Sequence, residues 1–353
     1  MIRRLPHFAV AALGSLALAT SGFAQASVTP VPMNVDSLAP APTTDSVDSA
    51  DPGSVAPAPA AGLEYREVFG VSRALRVAML ANDQAVAAPL LAAVGAGKGR
   101  PRWIPAYGTV RRGLLGEPVF RGEVLAPTTA GMWWLEPGEA SYVASSRSLT
   151  FITTVPFSEK QRGHLNGYHI GTYPTEGAGR TDAYAPPTAF IEVTPENQDV
   201  FISQHFRLRQ FLTKDQFDVW PKYVALNLRL IDKLELVIQE LNLMGSRALA
   251  VHVMSGFRTP QYNGPGGDGR AALSRHMYGD AADIWVDGDD DGLIDDLNGD
   301  GRNDIHDAEL LVRAVERVEQ KYPELTGGAG LYEANHAHGP FVHVDVRGSR
   351  VRW

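Results

Sequence analysis

The stretch 274–283 constrains this chain more than any other. It reads Ser274-Arg275-His276-Met277-Tyr278-Gly279-Asp280-Ala281-Ala282-Asp283. His276 offers an imidazole and Asp283 a carboxylate, two of the donor types that Zn²⁺ takes in a tetrahedral site. Gly279 and the alanines let the backbone turn tightly between them, with no bulk at an ion. A third donor, His343, stands in Phe341-Val342-His343-Val344-Asp345. Two imidazoles and one carboxylate leave a fourth position open for water, the pattern of a catalytic zinc site rather than a structural one. The sequence has no cysteine, so disulfides, thiolate ligands and a cysteine nucleophile are excluded. Any metal must be held by His and carboxylates.

These residues resemble the M15 peptidase superfamily of D-Ala-D-Ala carboxypeptidases and related murein endopeptidases. The family pattern S-x-H-x-x-G-x-A-x-D with a distal His is met by Ser274, His276, Gly279, Ala281, Asp283 and His343. Upstream, Ser255-Gly256-Phe257-Arg258-Thr259 matches S-G-[FY]-R-[ST]. Gly327-Gly328-Ala329-Gly330-Leu331-Tyr332 and His343-Val344-Asp345 look most like the subgroup that closes on H-[VI]-D and R-x-W, although here the terminal Arg352-Trp353 are adjacent. The resemblance covers 201–353. It implies an α+β zinc peptidase domain with a central antiparallel sheet and flanking helices. It also implies a substrate class, peptidoglycan stem peptides, cut by a D-Ala carboxypeptidase or a cross-link endopeptidase. Ser274 and Arg258 are then expected at the substrate. The Arg258 guanidinium can grip a carboxylate with two parallel hydrogen bonds, or pair structurally with a nearby Asp.

In many members of the superfamily the general base precedes the last His by two or three residues. Here those positions are Phe341 and Pro340, which transfer no proton. Asp345 follows His343 by two and so shares its face of a strand. It is expected either as the base or as the partner that orients an imidazole. His338 and Glu333, on the preceding loop, are the alternatives. Loss of the usual base also supports a second reading, a non-catalytic module that keeps the zinc fold and binds the cell wall or a protein.

After Asp283 comes an acidic insertion, 287–307. Its first half, Asp287, Asp289, Asp291, Gly292, Asp295, fits the front of an EF-hand-like loop whose twelfth position is Asn298. The second half, Asp296, Asn298, Asp300, Gly301, Asp304, has Asp307 twelfth. Oxygen ligands at alternate positions suit Ca²⁺, and so many carboxylates repel one another unless a cation neutralises them. Calcium is therefore the expected second cofactor.

The rest of the chain sets the context. Arg3 and Arg4, an apolar run over 8–18 and Ala24-Gln25-Ala26 read as a signal peptide over 1–26, with no further segment apolar enough to span a bilayer. An exported protein, periplasmic or extracellular, is expected. Residues 27–62, rich in Pro, Ala, Ser, Thr and Asp, read as a disordered linker. Short apolar runs punctuated by Gly and Pro over 63–156 suggest a small all-β, sandwich-like module, and 157–200 an irregular connector. A helix is expected over 224–243 and another over 308–320, the latter capped by Asp307. The net charge of −8 gives a nucleic-acid partner no electrostatic support.

Overall fold

The computed structural model describes residues 68–96, 100–109, 123–137, 147–179, 182–246, 248, 250–265 and 270–353. The expected signal peptide and linker lie outside the described residues. The chain divides into Met1–Ala56 and Pro57–Trp353, and every described residue belongs to the second part.

The first elements are β1 (Val77–Leu80), α1 (Ala88–Ala93), β2 (Arg102–Pro105), β3 (Gly131–Glu136) and β4 (Thr150–Thr153). The strands form one sheet in the order β1-β4-β3-β2, with β1 and β4 parallel. Among the described residues this region is a single sheet with a short helix, not the expected sandwich. The reason lies in its strands, which are apolar on both faces. Ala78, Leu80, Trp133, Leu135 and Phe151 point into one cluster with Val94 and Trp103. Val77, Met132 and Ile152 point into the main core beside residues from 190 to 346. The second face is thus covered by the rest of the chain rather than by a second sheet. That core runs across the expected boundaries at 156 and 200. Trp133 is buried and donates to Thr153 Oγ1 at 2.9 Å, while its neighbour Trp134 is half-buried under Arg147. Strand alternation sends the two rings to opposite faces.

Next come β5 (Val155–Pro156), the hairpin β6 (His164–Leu165) and β7 (Tyr168–His169), β8 (Ala189–Val193) and β9 (Lys222–Val224). Strands β5-β8-β9 make a small antiparallel sheet. Between β8 and β9 a 3₁₀ turn forms at Leu208–Phe211. Helix α2 (Leu228–Leu243) starts four residues later than the apolar stripe suggests. The residues before it pair in β9, and the Asn227 side chain accepts from Arg229 N as its cap.

The last part contains β10 (Val251–Ser255), α3 (Pro260–Asn263), β11 (Ala281–Val286), α4 (Ile305–Lys321), β12 (Gly328–Tyr332), β13 (Phe341–Asp345) and β14 (Val351–Arg352). The sheet order is β10-β11-β13-β12-β14, antiparallel except for the β12–β14 edge. Ala282, Ile284, Val286, Val342 and Val344 pack with Leu230, Leu234 and Val237 of α2 and Leu311, Val315 and Val318 of α4. The odd-numbered residues 281, 283, 343 and 345 therefore face the other way. Helix α4 begins three residues before the expected start. Asp304 is its cap, and Asp307 inside the first turn accepts from Asp304 N at 2.8 Å, a reciprocal capping box.

Candidate metal centre

One rung of the five-stranded sheet carries the site. Ser255 on β10 lies opposite Asp283 on β11, Asp283 opposite His343 on β13, and His343 opposite Gly330 on β12. His276 comes from the 3₁₀ turn Arg275–Tyr278 just before β11. That turn ends at Gly279, whose φ of +73° is left-handed and whose Cβ, if present, would lie 2.3 Å from the Ala225 carbonyl oxygen. Only glycine fits there, which accounts for its place in the motif. The Arg275–Asp280 ion pair staples the same turn.

Three ligand atoms converge, all on buried side chains. His276 Nε2 is 3.1 Å from Asp283 Oδ1, His343 Nδ1 is 3.0 Å from the same oxygen, and the two nitrogens are 3.2 Å apart. Zn–N and Zn–O bonds of about 2.0–2.1 Å place tetrahedral ligands roughly 3.3 Å from one another. The triangle thus has the size of one face of a zinc tetrahedron.

The backing bonds decide which ring nitrogen is free. His276 Nδ1 donates to Gly256 O at 2.7 Å, which leaves Nε2 with its lone pair. His343 Nε2 donates to Asp345 Oδ2 at 3.2 Å, which leaves Nδ1 with its lone pair. Asp283 Oδ2 accepts from Arg258 Nη2 at 2.5 Å, so Oδ1 faces the imidazoles. Three acceptor atoms therefore meet with no backing proton among them, an arrangement that a cation satisfies. Burial pushes the His276 pKa down. Burial alone would raise the Asp283 carboxyl, but His276 and His343 hold it well below the usual carboxylate range. Burial also opposes the charge on His343, yet Asp283 and Asp345 raise its pKa.

Asp345 sits on the far side of His343 from the convergent atoms. It is fully buried and accepts from Gly328 N at 2.7 Å, Arg347 N at 3.0 Å and the Arg347 guanidinium. Its backbone oxygen accepts from the buried Lys233, which also pairs with Glu319 at 2.7 Å. Trp353 closes the rung. Its indole lies 5.2 Å from the His343 ring and occupies the space that a side chain on residue 330 would fill.

Arg258 does grip a carboxylate, and the one it grips is Asp283; its Nε donates to Ser255 Oγ at 2.8 Å. Ser274 is buried at the head of the His276 turn. His338 packs edge-on to Phe341, with Nδ1 donating to Gly339 O and Nε2 accepting from Asn335, both at 2.8 Å. Glu333 is exposed on the same loop. Sequence reasoning missed Arg347 and Lys233, and named Trp353 only as part of a terminal motif. A lysine set among Leu230, Ile231 and Leu234 on the buried helical stripe was the readable signal for one of them.

The acidic insertion follows directly. Oxygens of Asp287, Asp289 and Asp295 lie within 4.8 Å of one another, and Asp287 and Asp290 form a like group with a nitrogen of His252. Asp287 accepts from Asp291 N and Gly292 N; Asp296 accepts from Gly299 N, Asp300 N and Gly301 N. Asp291, Asn298 and Asp300 each accept from the residue two further on, and Asp304 caps α4.

Two imidazoles and a carboxylate, each backed by its own partner on a sheet face, define a candidate metal centre. The comparison with protein families agrees. The model of the Peptidase M15 family matches residues 208–298, in the C-terminal half, consistent with an M15 peptidase domain there. The matched stretch includes Arg258, His276 and Asp283 and stops before His343. No curated protein and no solved structure matches the chain.

Proposed function

We propose that the protein is a zinc-dependent peptidase that hydrolyses peptidoglycan stem peptides, as a D-Ala carboxypeptidase or a cross-link endopeptidase. The supporting observation is the meeting of His276 Nε2, Asp283 Oδ1 and His343 Nδ1 at zinc-face spacing, with every proton directed away. Zinc held there supplies a Lewis acid that polarises a scissile carbonyl and lowers the pKa of water.

The chain's own residues then divide the work. Arg258 fixes Asp283 in its single-oxygen orientation, and its remaining Nη1 edge is left for a substrate carboxylate. Asp345, anchored by Arg347 behind His343, orients that imidazole and takes no proton from substrate. The general base passes instead to His338. Its Nε2 is the unprotonated nitrogen, held by Asn335 Nδ2 at 2.8 Å until that contact is exchanged for water, and it packs on Phe341, which shares the face of His343. Glu333 is the second choice. The acidic insertion binds calcium, through Asp287, Asp289 and Asp295 in its first half and around Asp296 in its second. Close carboxylates there and hydrogen-bonded loop amides support this. Export to the periplasm or cell exterior completes the reading, since the substrate lies there.

The test is incubation of the purified full chain with muropeptides, with and without chelator, followed by mass spectrometry of the products. Loss of one terminal D-Ala marks a carboxypeptidase, and monomers from dimers mark an endopeptidase. His338→Ala is expected to cut turnover by roughly 10²-fold or more and to keep zinc. Zinc-loaded protein that cleaves no muropeptide favours the binding-module reading, which the removal of Asp345 from the base position supports.

A further inference from the structure

A polar cavity of about 220 Å³ lies at the seam between the four-stranded sheet and the β5-β8-β9 sheet. Asn82 after β1, Glu192 and Thr194 at the end of β8, Asn197, Asn166 at the hairpin tip and Glu159 all reach it. Threonines and glycines make up most of the remaining wall, and no Lys, Arg or His lines it among the described residues.

Two features separate this cavity from an ordinary hydrated seam. Asn82 Oδ1 and Thr194 Oγ1 are buried and have no protein hydrogen-bond partner among the described residues. Buried acceptors without partners carry a free-energy cost, so such groups are uncommon. Both belong to the wall of this one cavity, on opposite sides of the seam. The wall is also rigid. Asn197, 3% exposed, accepts from Thr194 N at 2.8 Å and donates to Glu192 O at 3.2 Å. Tyr223 donates to Glu192 Oε2 at 2.9 Å and accepts from Asn166 Nδ2 at 2.6 Å. The second carboxylate oxygen of Glu192 is thereby held in place without a bond of its own in this network.

Acceptors outnumber donors, and the formal charge of the lining comes from Glu159 and Glu192 alone. We infer that the cavity binds a small protonated primary amine, such as an amino sugar or the side chain of a diamino acid carries. An N⁺–H group donates charge-assisted bonds to Glu192, with the polar side chains of Asn82 and Thr194 in the wall beside it. The volume equals about seven water shares, enough for an ammonium on a short stem or for the amine-bearing edge of one sugar ring. This inference is independent of the peptidase reading, because it is measured by binding rather than by turnover.

Calorimetric titration of the full zinc-loaded chain tests it, with two pairs of probes: glucosamine against N-acetylglucosamine, and Nα-acetyl-lysine against its Nα,Nε-diacetyl form. At least one free amine is expected to bind, with its acetylated counterpart at least roughly tenfold weaker. Glucosamine alone identifies an amino sugar, and the lysine derivative alone a diamino side chain. Glu192→Gln, which keeps the shape and the Tyr223 bond, is expected to weaken binding about tenfold. Asn82→Asp adds a carboxylate and is expected to tighten it. If Glu192→Gln fails to fold, the sign of the Asn82→Asp effect decides. Failure of both amines to bind, equal affinity of the acetylated forms, or an affinity that Glu192→Gln leaves unchanged overturns the inference.

Discussion

Asp283 and Asp287 stand four residues apart, one on strand β11 and the other just past its end; both are buried, yet the groups around them differ. At Asp283 every candidate ligand is buried, and each has a partner on its far side: Gly256 O for His276, Arg258 for Asp283, Asp345 for His343. From 288 to 304 every carboxylate is exposed or half-exposed, and several bond backbone amides of their own loop. The first arrangement fixes ligand positions before an ion arrives. The second leaves like charges close together and gains order from whatever neutralises them. The difference teaches that metal-binding side chains alone do not measure a site; the atoms behind them do.

The largest effect that would break this contrast is expected at Asp345. Asp345→Asn removes the charge that orients His343 and leaves Arg347 without its carboxylate. Zinc affinity should fall roughly 10- to 100-fold by competition with a chelating indicator. Asp300→Asn in the acidic loop should leave zinc affinity unchanged. Equal zinc affinity in wild type and Asp345→Asn would remove the backing argument.

Acidification comes next. The pKa of His343 in the metal-free protein lies above its ordinary value. Its proton must leave before Nδ1 can bind zinc, so affinity should be retained above that raised pKa and decline as pH falls through it. A zinc affinity flat from neutral pH to well below the ordinary histidine range would show that this imidazole is not a ligand.

A smaller effect is expected from Gly279→Ala. The left-handed backbone alone costs about 1–2 kcal/mol for a side chain, and contact with the Ala225 carbonyl adds to that. Thermal unfolding should show a lower midpoint, with zinc bound more weakly because the His276 turn shifts. An unchanged midpoint would mean the turn relaxes freely.

The smallest effect belongs to the acidic loop. Calcium at millimolar concentration, with zinc held constant, should raise the melting midpoint by a few degrees at most, since an ion that binds only the folded chain stabilises it. Asp296→Asn should remove part of that rise. No rise at all would make 287–307 a plain solvated loop, and the contrast with Asp283 would then be one between a metal site and none.

Much of the site was legible in the sequence because its parts are local or repeat a spacing. Ser274 to Asp283 is a contiguous turn and strand, and His343 with Asp345 shows the two-residue period of a strand face. The strands over 281–286 and 341–345 and the stripe of α2 carry strong periodicity. What could not be read depends on non-local partners. Whether Arg258 meets a substrate or Asp283 depends on the register of β10 against β11, which no short pattern encodes. Asp345 was ambiguous for the same reason, since its role turns on Arg347 and Gly328 arriving behind it. Among the described residues of 63–156 one sheet stands where a sandwich was expected, because strands apolar on both faces look alike whether a second sheet or the rest of the chain covers them. Asp307 drew the cap assignment away from Asp304 because both fit the pattern, and only the reciprocal bonds of the capping box separate them.

The central claim is that His276, Asp283 and His343 together hold one zinc. Native mass spectrometry of the full chain, wild type beside His343→Ala, tests it most directly, with circular dichroism to confirm that both are folded. The expected result is one zinc per chain in the wild type and none retained by the folded variant. Full zinc occupancy in folded His343→Ala would contradict the account.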